Sequence, residues 1–148
     1  MIDRMNSLAR DERGATMIET AIVVPVLLLM AIGAFESGNM ISRQVELQNA
    51  AAEAAQIAIA QPPTDAITRG TLEDIIEMST GLADENVTVA EAYRCGTDAA
   101  YVDSATSCTD AYASFIEINL TDSYTPVFWG YAFDSVLDYD VTRMVQIG

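Results

Sequence analysis

Three hydrophobic patterns follow one another along the chain. From Ala15 to Phe35 the residues are apolar on all sides, with Glu19 the one charge among 21 positions. At about 1.5 Å per residue, a helix of that length reaches roughly 31 Å, the hydrocarbon thickness of a bilayer. The run predicts a membrane-spanning helix over 15–35, because the core helices of soluble proteins seldom stay apolar on every face for so long. Beyond it the pattern becomes one-faced. Ile41, Val45, Ala52, Ala55 and Ile59 form a stripe opposite Asn39, Arg43, Glu46 and Glu53, at helical spacings. The alanine content favours helix, and Pro62-Pro63 ends it, since proline cannot donate to the ladder and turns its predecessor away from helix. One helix over 15–61 is expected, about 70 Å long.

The third pattern, over 62–148, predicts a small head. Leu72, Ile75 and Ile76 mark a short helix over 71–80, with Gly70 before it and Gly81 placed to end it. Val87-Val89-Tyr93, Ile116-Ile118-Leu120 and Leu137-Tyr139-Val141-Val145-Ile147 alternate as strands do. The expected class is α+β: a three-stranded antiparallel sheet with one face covered by the alanine-rich stripe of the long helix. Arg143 stands on the apolar parity of the last strand, which signals a bulge or a sheet edge.

Charge narrows the function. Seven arginines, no lysine and no histidine face 22 acids, for a net charge of −15. Such a surface repels phosphates, so nucleic acid is excluded as a partner. Without histidine or lysine there is no imidazole base, Schiff base or Ser-Lys dyad. The neighbouring acids Asp138 and Asp140, and Asp84 with Glu85, read as solvated surface. No enzyme, cofactor or metal is expected, because two cysteines without histidine do not complete a zinc site. In an oxidising compartment Cys95 and Cys108 should pair across a Gly/Thr/Asp/Ser-rich loop; the alternative is two free thiols. Arg4, Arg10 and Arg13 all precede the apolar run, placing residue 1 in the cytoplasm and the head outside.

Arg10-Asp11-Glu12-Arg13-Gly14-Ala15-Thr16-Met17-Ile18-Glu19, running into Val24-Pro25-Val26, resembles the start of TadE-like minor pilins of the tight-adherence (Tad) type IVb pilus system. Leu47-Gln48-Asn49-Ala50-Ala51-Ala52-Glu53 resembles the helix that follows the membrane in that family. The resemblance implies a type IV pilin-like fold and a leader, 1–14, cut by a prepilin peptidase between Gly14 and Ala15. Glu19 then stands fifth in the mature chain. The implied partners are the major pilin, other minor pilins, the peptidase and the inner-membrane assembly platform. The implied location is the bacterial inner membrane, single-pass, with a periplasmic head that can enter an extracellular pilus.

The residues support this independently. A lone carboxylate in an apolar segment is a functional candidate by default, the alternative being a tolerated interfacial acid. Pro25 removes one helix hydrogen bond and loosens the span. Gly33, Ala34, Ser37 and Gly38 form small-xxx-small pairs that allow close helix contact. Two other classes remain open: a secreted binding protein whose apolar run is a signal peptide cut near Ala31-Ile32-Gly33, and a signal-anchored periplasmic module outside any pilus. The aromatic cluster Tyr124, Phe128, Trp129, Tyr131 and Phe133 is expected to pack into the head's core, with a contact surface as the alternative.

Overall fold

The computed structural model describes residues 12–109, 111–126 and 136–148. Helix α1 runs from Glu12 to Ala60 and contains Pro25. It crosses the boundary between two compact units, which divide between Asn39 and Met40.

In the first unit the large apolar side chains point outward. Leu27 and Leu28 are 58% exposed, and Leu29 and Met30 nearly 70%. Apolar surface left in water costs about 25 cal/mol per Å², so this half of α1 suits an apolar surrounding and not water. Its hydroxyls are arranged accordingly. Thr20 Oγ1 donates to the Thr16 carbonyl and Ser37 Oγ to the Gly33 carbonyl, both at 2.8 Å, hiding two donors against the helix's own backbone.

The second unit holds the rest of α1, helix α2 (Ala66–Thr80) and strands β1 (Val87–Cys95), β2 (Tyr112–Tyr124) and β3 (Leu137–Gln146). The sheet is antiparallel in the order β1-β2-β3. Its inner face buries Val87, Val89, Ile116, Ile118, Leu120, Tyr139 and Val145 against Leu47, Ala51, Ala54 and Ala58 of α1 and Leu72 and Ile76 of α2. With Ala55, the buried line of α1 holds four alanines, small side chains that fill little of the space between helix and sheet. The α+β head with three antiparallel strands is therefore as the alternation predicts.

Two details differ from the sequence reading. The expected inward stripe of α1 is rotated: Ile41, Val45 and Ile59 are 64%, 47% and 63% exposed, and of that stripe only Ala55 is buried. α1 carries two apolar stripes about 100° apart, and periodicity alone does not say which one meets the sheet. α2 also begins earlier than residue 71. Asp65 accepts from the Thr68 N–H at 2.8 Å while Thr68 Oγ1 accepts from the Asp65 N–H at 3.3 Å, a reciprocal capping box. Gly70 thus lies inside the helix, where it costs about 1 kcal/mol relative to alanine. At the other end Gly81, with φ of 70°, closes α2 through its N–H on the Glu77 carbonyl, a conformation side chains disfavour.

The β2–β3 register runs without interruption through Ile118↔Arg143. Arg143 sits on an edge strand, in regular pairing and without a bulge.

Candidate functional site

The residues singled out in the membrane segment lie on one continuous element. The Gly14–Ala15 peptide falls within the first turn of α1, which starts three residues before the helix expected at 15. Glu19 is exposed about one turn further on. Pro25 has no N–H, so the Ala21 carbonyl lacks its usual donor four residues ahead. Added side-chain carbons at Gly33 and Gly38 would meet nothing within 4 Å. Packing within this chain therefore does not require glycine at either position.

In the head, the chemistry is that of fastening. Arg43 Nε donates to Asp122 Oδ2 at 2.6 Å, and its Nη1 reaches the Thr80 carbonyl and Glu46, both at 3.0 Å. One guanidinium thus ties α1 to the C-terminus of α2 and to β2. Burial works against the cation, yet Asp122 and Glu46 outweigh it and hold the Arg43 pKa above its ordinary value. Beside it, the Tyr139 hydroxyl donates to the Met40 carbonyl at 3.1 Å. Arg69 pairs with Glu91, which also accepts from the Tyr93 hydroxyl, joining α2 to β1. We expect Arg43→Ala to destabilise the head by about 2 kcal/mol, through the loss of charged hydrogen bonds to Asp122 Oδ2 and the Thr80 carbonyl. Arg143→Ala, on the exposed edge, should change stability by less than about 0.5 kcal/mol. Denaturant unfolding followed by near-ultraviolet circular dichroism compares the two, and equal losses would contradict the assignment of Arg43.

Cys95 and Cys108 form a disulfide, with Cα atoms 5.2 Å apart, at the foot of the β1–β2 connection. The connection folds back on the sheet: Val102 bridges to Tyr93 through hydrogen bonds of 2.8 Å in both directions. Tyr101 meets Phe115 edge-on at 5.1 Å, and the Arg94 guanidinium lies 5.3 Å over the same ring. On the outer face Asp140 accepts from Asn119 Nδ2 at 2.8 Å and from Thr142 at 3.4 Å, a cross-strand tie. Of the aromatic cluster, Tyr124 packs partly buried against the core; Phe128, Trp129, Tyr131 and Phe133 lie outside the described residues.

The sequence reading identified neither Arg43 nor the Arg69–Glu91–Tyr93 chain. The partners of Arg43 and Arg69 are distant in sequence, and no local signal announces them.

Among the described residues, one helix is long and apolar enough to cross a membrane; followed by a small α+β head, it is compatible with a single-pass membrane anchor. Residues 14–56 match the profile described as TadE-like protein, so the apolar segment and the helix after it are TadE-like. Comparisons with curated proteins and with solved structures give no match. The sheet and α2 lie beyond the matched residues.

Proposed function

We propose that this chain is a minor pilin-like structural subunit of a Tad-type pilus. It is made as a single-pass inner-membrane precursor with residue 1 cytoplasmic and the head periplasmic, cut between Gly14 and Ala15 by a prepilin peptidase, and assembled through α1. Its partners are the major pilin, other minor pilins, the peptidase and the inner-membrane assembly platform. The observation that carries the reading is the coincidence of the TadE-like match over 14–56 with a helix segment whose apolar side chains are exposed and whose glycines face open space. A helix of this kind gains stability from neighbours that bring their own small residues into close contact.

Processing has a physical requirement. A peptidase works on extended backbone, whereas the Gly14–Ala15 bond lies in the first turn of α1. Helix ends fray, and glycine lowers the cost of leaving the helix by about 1 kcal/mol relative to alanine. The mature N-terminus tests the reading: intact-mass analysis of the envelope protein should show a chain beginning at Ala15, and Gly14→Leu should accumulate as uncut precursor. A start near residue 34, as after signal-peptide removal, would overturn the proposal, as would an uncut wild-type chain.

A further inference from the structure

Within the head, two grooves flank α1, one holding a cation beside an acid and the other two acids. On the β3 side, Arg143 and Asp140 share a groove with Gln44, Gln48 and Ala52 of α1. On the α2 side, Glu46 and Glu53 share one with Val45, Asn49 and Ser79. Along the same helix runs the aliphatic stripe that the sheet leaves uncovered, Ile41, Val45 and Ile59, of which Val45 also lines the α2-side groove.

The charges on either side of this ridge are not equivalent to the rest. Among the head's cations, Arg43 and Arg69 are ion-paired and Arg94 lies over Phe115. Arg143 makes no ion pair with any described residue. Its placement is also unusual, since it occupies the inward parity of β3 between Val141 and Val145, opposite Ile118. On the other side Glu46 is held by Arg43, whereas Glu53 is exposed and makes no ion pair among the described residues. One uncommitted cation and one uncommitted anion thus flank a single exposed aliphatic ridge.

We propose that this ridge docks a second copy of the chain, with Arg143 of one copy meeting Glu53 of the next. Two molecules of net charge −15 repel, so their association needs a cation where they touch, and Arg143 is the head's available one. Because the two charges lie on opposite sides of the ridge, the contact is head-to-tail: each copy presents Arg143 to one neighbour and Glu53 to the other. Such a heterologous contact does not close on itself unless its rotation does, and so builds an open row. The aliphatic ridge supplies the buried area and the ion pair fixes the register. This contact rests on the proposed assembly through α1, but it uses residues outside the apolar segment and is tested apart from it.

The test places a photo-crosslinking amino acid at the exposed position 49 of the full-length chain in native membranes, with a control probe at position 22. The expected product from position 49 has twice the chain's mass and contains this chain alone. Arg143→Glu or Glu53→Arg should each lower its yield at least about fivefold, and the double reversal should restore it to within about twofold, as a direct charge pair demands. A product containing a different protein, single reversals without effect, or no recovery in the double variant would each overturn the proposal. Crosslinks from position 22 without any from 49 would reject this contact while leaving assembly through α1 intact; none from either would reject both.

Discussion

Chains carrying Glu19→Gln are expected to enter the membrane and lose their leader normally, yet to be depleted from pili by at least about tenfold, equivalent to about 1.4 kcal/mol. Glu19 lies about 6 Å along the helix axis from Ala15, close enough to the interface for its side chain to reach it during insertion. A carboxylate at the bilayer centre costs roughly 2.5–3.5 kcal/mol on insertion scales, and less near the boundary. Cleavage before Ala15 would create an amine. When helices pack and lipid is excluded, a neighbour's amine can pair with Glu19, and an unpaired charge in that setting is strongly unfavourable. Such a pair would act as a check on register. Glu19→Asp should retain part of the activity. Wild-type piliation by Glu19→Gln, with normal co-purification with pilus components, would reduce Glu19 to an acid the interface tolerates.

The second large effect is expected from Cys95→Ser with Cys108→Ser. The bridge closes a sequence separation of 13 residues, worth roughly 3 kcal/mol in the chain-entropy model. Its loss should be felt along the β1–β2 connection, where the Tyr93–Val102 bridge and the Tyr101–Phe115 contact depend on the loop returning to the sheet. Limited proteolysis should then cut between residues 96 and 111 in the double variant and spare the oxidised protein. An unchanged denaturation midpoint together with unchanged protease resistance would show that the loop holds itself without the bridge.

How much of this was legible beforehand depends on whether the cause of a feature is local. The strands were readable because alternation at Ile116-Ile118-Leu120 and its neighbours reports a sheet with one buried face. The start of α2 was missed because Gly70 reads as a boundary, while the cap that overrides it, Asp65 with Thr68, lies five residues earlier. The inward face of α1 was misjudged because large aliphatics at Ile41, Val45 and Ile59 outweigh alanines in any hydrophobic count. Packing against the sheet selects the alanines and leaves these aliphatics exposed. Arg43 joins Asp122 across 79 residues, which no spacing rule detects. Glu19 was conspicuous in the sequence, and the single chain adds little to it, because the partner proposed for it belongs to another molecule.

The two margins of the sheet are unequal, and this bears on how the head avoids self-association. Along β1, the Val89 N–H is taken by Glu73 Oε1 at 2.7 Å and the Tyr93 N–H by Val102, so a stray strand finds donors already engaged. Along β3, no described strand pairs with the outer side. Backbone pairing between two heads could therefore join β3 to β3, but it would stop there, because each resulting pair would present only obstructed β1 margins. Runaway cross-β stacking needs two open margins on every unit. A head with one open margin is protected from amyloid-like growth.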